Sequence, residues 1–366
     1  MEHFRWEFLH AIVFTGLLVR YLRPRAVQIG LVDRPDHRKR HRGTVPLVGG
    51  IAIFIGYVLA VGPVVDTSPR LMGLLLGGGL LIVIGALDDY FDFRPLPRLA
   101  AQVMAVGVMI ISGVSLQDIG ALGANGGLLA LGILAVPFTV FATVGAINAL
   151  NMMDGVDGLS GSVGVVAIAA MLIVSIVSGA NNAIPQLLAL LGCVMGFLFF
   201  NMRSPIRRKA LAFLGDAGSM FLGFALTWYL ISLSQGTDRA FPPAAAVWFV
   251  ALPLMDAVYN IGRRLAAGRS PLGCDRQHLH HLFIRSGVPV QSTVWMLCAA
   301  ATLLASVGVA GSLLEWPDVY LAAGFATLFC LYCTVMHVAW RNLLKQQSDE
   351  SAPHSLPSQH ATAAQR

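Results

Sequence analysis

Charge is scarce in this chain: only 12% of its 366 residues are Asp, Glu, Lys or Arg, while 56% are hydrophobic. A soluble domain carries about twice that charge fraction, so a water-soluble globule is excluded. Mean hydropathy is +0.70. Cysteine usage is equally uninformative for redox or zinc chemistry. The five cysteines are Cys193, Cys274, Cys298, Cys330 and Cys333, mostly inside apolar stretches and joined by no metal-ligand spacing. Cys330 and Cys333 sit at helical spacing in an apolar run, where a packing role is the ordinary one. No small-residue cleavage site follows the first apolar stretch, which therefore reads as a retained span. There is no 20–50-residue repeat and no inverted-repeat signal of the transporter kind.

What is present in quantity is hydrocarbon. Eleven apolar stretches, each long enough to cross roughly 30 Å of bilayer, fall near 8–28, 45–65, 71–87, 98–115, 127–147, 159–179, 184–201, 211–233, 243–265, 291–313 and 318–340. The expected fold is all-α, a polytopic membrane bundle of about eleven transmembrane helices. Basic residues orient it. With the N-terminus outside and the C-terminus in the cytoplasm, 22 of the 25 Lys and Arg lie on the cytoplasmic side. Only Arg5, Arg70 and Arg239 fall outside, the asymmetry expected of inside loops. Residues 1–345 read as one membrane domain, and the polar segment 346–366, rich in Ser, Ala, Gln and Pro, is expected to be a disordered cytoplasmic tail. The net charge of +6 fits cytoplasmic loops beside anionic membrane lipids and gives no reason to expect nucleic acid.

Five polar clusters fall on that same side. The first is Asp88-Asp89-x-x-Asp92. Carboxylates are disfavoured at a helix C-terminus by the dipole, so three acids closing an apolar span call for an explanation. If the helix continues one turn, all three can approach one ligand. The second cluster repeats a polar residue at every third position: Asn148, Asn151, Asp154, Asp157. Gly155 and Gly158 permit an irregular turn, and this inside loop carries no Lys or Arg. Asp157 alone could instead cap the following helix. In the third, Leu214-Gly215-Asp216-Ala217-Gly218, Asp216 is either a helix N-cap or, with small neighbours leaving its carboxylate accessible, a metal ligand. The fourth is Asp275-Arg276-Gln277-His278-Leu279-His280-His281. It lacks the i, i+4 pair of a helical zinc site and suits a diphosphate clamp or proton donor. The fifth is the basic run Arg38-Lys39-Arg40-His41-Arg42, which suits a lipid phosphate or merely the headgroup layer. Asp256, inside the ninth stretch, reads as structural, satisfied by Asn260, Arg263 and Arg264.

A carboxylate beside hydrocarbon is costly and is functional by default. Carboxylates brought together repel unless a cation lies between them, and Mg²⁺ or Mn²⁺ is the natural cation for an all-oxygen site. With a basic loop nearby, the residues point to metal-assisted phosphoryl chemistry at a membrane surface. The rival class is an ion-coupled transporter, which requires acids near the bilayer midplane and paired broken helices.

At these positions the chain resembles the polyprenyl-phosphate N-acetylhexosamine-1-phosphate transferases. The matching pieces are LVDRPDHRKRHRGTVPLVGG (31–50), GALDDYFD (85–92), INALNMMDGVDGLSG (147–161), FLGDAGS (213–219) and RRLAAGRSPLGCDRQHLHHL (263–282), in the family's order. The family includes the muramoyl-pentapeptide transferase of peptidoglycan synthesis. That branch would show a Lys where this chain has Asp92, and three consecutive His where it has His-Leu-His-His, so the simple amino-sugar branch fits better. The last two spans and the tail carry no family signature.

The resemblance implies a Mg²⁺-dependent transfer of sugar 1-phosphate from a UDP-N-acetylhexosamine to undecaprenyl phosphate, releasing UMP. It implies an active site facing the cytoplasm in a bacterial inner membrane. Asp216 then becomes the first choice as metal ligand. Asp88 and Asp89 would assist the metal or deprotonate the lipid phosphate. Asn151, Asp154 and Asp157 would hold metal or nucleotide. Arg276, His278, His280 and His281 would bind diphosphate, and Lys39 and Arg40 the lipid phosphate. Homo-oligomerisation stays open.

Overall fold

The structure is a computed structural model that describes residues 2–33, 43–62, 68–123, 126–203, 207, 209–271, 273 and 277–351, with side chains described from residue 6 to residue 345. Lys39 and Arg40 of the basic run, and Asp275 and Arg276 of the histidine loop, lie outside these residues.

The chain is mostly helical, and each of the eleven apolar stretches contains a helix. In order they are α1 (Glu2–Ile29), α2 (Gly49–Val61), α3 (Pro69–Phe91), α4 (Pro95–Ile111), α5 (Ala135–Met153), α6 (Leu159–Ser178), α7 (Ile184–Asn201), α8 (Gly215–Ser234), α9 (Pro243–Phe249), α10 (Ala251–Ala266), α11 (Leu279–Arg285), α12 (Val290–Leu313) and α13 (Asp318–Ser351). The expected count of eleven crossing helices is not matched by length and apolarity. Among the described residues seven helices are long and apolar enough to cross a membrane, and an eighth span results if α9 and α10, bent by 84° at their junction, are taken together. Helices α2 and α4 are apolar but short, and α13 runs on to Ser351, into the segment expected to be disordered.

The physical centre is α8, where nearly every residue is buried. It is packed against α2, α3, α5, α6 and α9. Lipid tails are as apolar as leucine, so close van der Waals packing of small residues drives such contacts. Gly50 and Gly218 bring α2 and α8 together so closely that a methyl group on either would strike the other's backbone. A methyl group on Gly85 of α3 would likewise strike the Ala217 backbone of α8. These contacts lie in the first turns of α8, so they seat the neighbouring helix ends beside Asp216.

Two short strands complete the frame. β1 (Val32–Asp33) pairs antiparallel with β2 (Val45–Pro46). The chain after β2 then straps onto the residues before α8. Phe213 N–H donates to Pro46 O at 2.9 Å, Gly49 N–H to Phe213 O at 2.9 Å, and Gly50 N–H to Leu214 O at 3.0 Å. The segment from β2 to the start of α2 is therefore tied to the residues that lead into α8.

Candidate active site

The C-terminal ends of α3 and α5 and the N-terminal ends of α4 and α8 meet at one end of the bundle. Helix α3 starts with Ser68 as N-cap, its hydroxyl accepting from Leu71 N–H at 3.2 Å, and Pro69 in the first turn. It ends where Asp92 turns left-handed, with φ of 51°. The extra turn that would have carried Asp92 beside Asp88 and Asp89 is absent, and Asp92 is exposed. The expected triad of acids on one ligand is therefore a pair. Pro95 then opens α4 in its first turn, a position that suits proline.

The pair is divided in labour. The Asp89 carboxylate accepts from Asp216 N–H at 2.8 Å and Ala217 N–H at 3.3 Å. It thus caps α8 from a different helix, satisfying donors that would otherwise be orphaned. Gly215 makes room, with φ of 75° and no side chain where the Asp89 carboxylate lies. Asp216 is therefore not the N-cap that one reading of its sequence allowed. Its carboxylate stays available in the first turn, where the helix dipole favours an anion.

Asp88 faces Asp216 through one cation. Arg98 Nη1 donates to Asp88 Oδ2 at 3.0 Å and to Asp216 Oδ2 at 3.2 Å. The other oxygen of each acid is engaged: Phe93 N–H donates to Asp88 Oδ1 at 2.8 Å, and Asn151 Nδ2 to Asp216 Oδ1 at 2.6 Å. Asn151 also reaches Ser219 Oγ at 2.8 Å. The Asp88 side chain is 3% exposed and that of Asp216 31%, so Asp216 is the one that a soluble ligand can meet.

Of the polar run 148–157, Asn151 bonds into this group and the other members bond elsewhere. Asn148 Nδ2 donates to Gln102 Oε1 at 2.7 Å. Asp154 Oδ1 accepts from Ser160 Oγ at 2.8 Å. Withdrawal from water raises the Asp154 carboxyl well above the usual carboxylate range. The Ser160 hydroxyl opposes this, and the charges of Asp216, Asp89 and Asp157 add to it. Asp157 Oδ2 pairs with Arg203 Nε at 2.7 Å, and both line a small opening beside Met202 and Trp295. Asp157 does not cap α6. The residue before that helix is Gly158, whose N–H donates to the buried Asn201 Oδ1 at 2.7 Å.

The histidines approach from a second direction. His280 is buried, and its Nε2 stands 3.1 Å from where a methyl group on Gly155 would lie. Burial, followed by the neighbouring His281, pushes the His280 imidazole down to about 3, so this ring is neutral at ordinary pH. The rings of His280 and His281 are 4.1 Å apart between centroids. His278 is held by Asp256, with Nδ1 to Oδ2 at 2.8 Å. Its expected part in binding diphosphate is thus restricted to the rest of the ring.

Asp88 Oδ2 and Asp216 Oδ2 converge on a single positive point, and all their donors are hard oxygens, which fits Mg²⁺ or Mn²⁺. Among the described residues no group of three or more His, Cys, Asp or Glu gathers in metal-binding geometry. An ion there would be completed by substrate phosphate and water, the usual habit of Mg²⁺. Sequence reasoning missed Arg98, Ser219, Ser160 and Asn201. A signal existed for Arg98. A cation in the first turn of a helix is as disfavoured by the dipole as an acid in the last, and the run Arg94-Pro95-Leu96-Pro97-Arg98 places one there.

The acids lie at the ends of helices and face one another there, the arrangement of a site that works at a membrane surface. The chain belongs to glycosyl transferase family 4, whose pattern matches residues 71–234, the stretch from the start of α3 to the end of α8. It is similar along most of its length to proteins named undecaprenyl-phosphate alpha-N-acetylglucosaminyl 1-phosphate transferase. The Salmonella typhi protein is 36% identical over 337 residues, covering 92% of this chain and 91% of the relative. The Yersinia pestis protein is 36% identical over 338 residues, covering 92% of each. That of Haemophilus influenzae is 35% identical over 333 residues, covering 90% of this chain and 94% of the relative.

Proposed function

We propose that this protein transfers N-acetylglucosamine 1-phosphate from UDP-N-acetylglucosamine to undecaprenyl phosphate, releasing UMP and starting a lipid-linked glycan of the cell envelope such as O antigen. The observation that carries the reading is the meeting of Asp88 and Asp216 on one cationic point, in a chain this similar to transferases bearing that name. The reaction is an exchange of phosphoryl partners. An oxygen of the lipid phosphate attacks the β-phosphorus, the bond from that phosphorus to the bridging oxygen breaks, and UMP leaves with the oxygen. Such transfers need positioning and charge neutralisation more than covalent help.

Each residue has a part in this. Asp88 and Asp216 would hold Mg²⁺, or Mn²⁺ in its place, which supplies Lewis-acid polarisation of the diphosphate when bound. Asp89 fixes the first turn of α8 and so the place of Asp216. Asn151 aims Asp216 by its hydrogen bond. Arg98, Arg203 and Arg276 supply positive charge for the diphosphate and His280 and His281 ring donors, while Lys39 and Arg40 serve the lipid phosphate. Asp154 and Asp157 border the nucleotide side. The basic asymmetry supports an orientation with this end of the bundle on the cytoplasmic side of a bacterial inner membrane, where nucleotide sugar and lipid phosphate can meet.

The test is purified protein incubated with undecaprenyl phosphate, Mg²⁺ and a panel of UDP-sugars, scoring UMP. Release with UDP-N-acetylglucosamine, abolished by chelation and restored by Mg²⁺, is expected. No UMP with any UDP-N-acetylhexosamine would overturn the reading. Cysteine labelling at Gly236 and Ser348 tests the orientation, with opposite sidedness expected and reaction of both from outside contradicting it.

A further inference from the structure

Beyond Asn260, Asp256 has partners that its sequence context did not suggest. Its Oδ2 meets His278 Nδ1 at 2.8 Å, and its Oδ1 accepts from Leu279 N–H at 2.9 Å and from the Tyr332 hydroxyl at 3.0 Å. Asn260 Nδ2 donates to the Asp256 main-chain carbonyl at 2.8 Å and lies 3.2 Å from both Asp256 Oδ1 and His278 Nδ1. Asp256 is 2% exposed, His278 4% and Asn260 fully buried.

This geometry determines a tautomer. A carboxylate has no hydrogen to give, so the 2.8 Å contact requires the proton on His278 Nδ1. The Asn260 amide has the Asp256 main-chain carbonyl as its better acceptor. Nε2 then carries the lone pair, and is the edge of His278 that accepts a hydrogen. The ring also sets its neighbours, lying parallel to His280 at 5.7 Å between centroids, with 4° between the planes.

Tyr332 ties the arrangement to α13, a helix that carries no motif. Its ring meets Tyr259 edge-on at 6.1 Å, and further along α13 the Trp340 ring receives the Arg285 guanidinium at 5.4 Å. A buried acid in an apolar helix is costly unless fully hydrogen-bonded. An apolar side chain would hold α10, α11 and α13 together without that cost.

We propose that Asp256 and Tyr332 are positioning residues, fixing the tautomer and ring plane of His278 so that the histidine loop presents a hydrogen-free Nε2 edge that accepts from a hydroxyl or amide hydrogen of the nucleotide sugar. This rests on the transferase reading above. It makes α13 part of the working site, although no residue of that helix belongs to the carboxylate end.

Asp256→Asn is the decisive change. An Asn can still accept from Leu279 and Tyr332, but its amide hydrogens now face His278 Nδ1 and force the proton to Nε2. In full-length protein with ¹⁵N-labelled histidine, the His278 proton is expected on Nδ1 in the wild type and on Nε2 in Asp256→Asn. The loss in kcat/KM for UDP-N-acetylglucosamine should be about 10- to 100-fold, the scale on which partners that orient a working histidine act. Tyr332→Phe, which keeps the ring packing, should lose less. In a His278→Ala background neither change should reduce kcat/KM further, since both act through that ring.

An unshifted tautomer in Asp256→Asn, or losses that multiply in the double variants, would overturn the proposal. If Asp256→Asn does not fold, the Tyr332→Phe and His278→Ala pair carries the same cycle. A wild-type protein without transferase activity would defeat the reaction reading and with it the substrate contact, while the tautomer measurement would still decide whether Asp256 sets His278.

Discussion

The carboxylate end and the histidine loop both place acids next to apolar helices, yet they balance charge in opposite ways. Around Asp256 one carboxylate meets the Tyr332 hydroxyl, the Leu279 N–H, His278 and Asn260, so its hydrogen-bonding capacity is filled from within the protein. At the carboxylate end Asp88 and Asp216 share the guanidinium of Arg98, while Asp89 and Asp154 stand close by. Among the described residues these four carboxyl groups have one guanidinium to share. An acid that is fully satisfied holds other groups in place. Acids left in excess call for a cation from outside.

The strongest way to break this comparison is Asp216→Asn. It should lower kcat about 100-fold or more, the scale on which removal of a preorganised charge-stabilising group acts, and weaken the dependence on Mg²⁺. Folding should change little, because Asp89 and not Asp216 caps α8. A well-folded variant with normal UMP release would return Asp216 to a structural role.

Arg98→Gln tests the excess of charge directly. Without the guanidinium, Asp88 and Asp216 face each other unneutralised. Thermal unfolding without divalent ion should shift downward by the equivalent of about 2 kcal/mol, the usual worth of a hydrogen bond to a charged group. Added Mg²⁺ should recover most of that shift. Equal Mg²⁺ responses in variant and wild type would show that Arg98 does not stand where a cation binds.

Asp89→Asn should separate the two neighbouring acids. An amide keeps one accepting oxygen where the carboxylate had two, so part of the α8 cap is lost, about 1 kcal/mol, and kcat falls through the displacement of Asp216. Asp88→Asn should do the reverse, with the larger fall in kcat and the smaller fall in melting temperature. The same ranking of both variants in both measurements would remove the division of labour.

The last test concerns the other region and is a matter of pH. His280 is held at about 3 in the folded protein against an ordinary 6.5. The unfolded chain therefore takes up a proton that the folded protein refuses. Stability is full above 6.5 and is lost as pH falls from there towards 3. Asp154, raised instead, works in the opposite sense by keeping its proton in the folded state. His280→Gln should flatten the acid side of a melting-temperature profile. An unchanged slope would mean that His280 is not the group that titrates.

Much of the working end was legible before any coordinates. Asp88, Asp89, Asn151, Asp154 and Asp216 stood out because acids and amides at the ends of apolar spans oppose both the membrane and the helix dipole. Their convergence was expected, but their roles were not readable. Nothing in Asp88-Asp89-x-x-Asp92 tells which acid caps a helix that begins more than a hundred residues later, or that Asp92 turns left-handed and leaves the group. Arg98 was counted only as a mark of topology. Asp256 was assigned to neighbours on its own helix, because local spacing reveals i, i+4 partners and hides partners such as Tyr332.

Hydropathy and the placement of charge along the chain were sufficient to determine an all-helical membrane protein with its acids and imidazoles gathered beside one end of its spans. Those properties depend on the energy of each segment in hydrocarbon or water, which is local. Which helices reach full length, which is the buried centre, and which carboxylates share a cation were decided only by tertiary structure. Those depend on how closely backbones can approach, as Gly50 and Gly85 allow against α8, and on hydrogen bonds of 2.6–3.3 Å between residues far apart in sequence, such as Asp89 to Ala217 and Asn151 to Asp216.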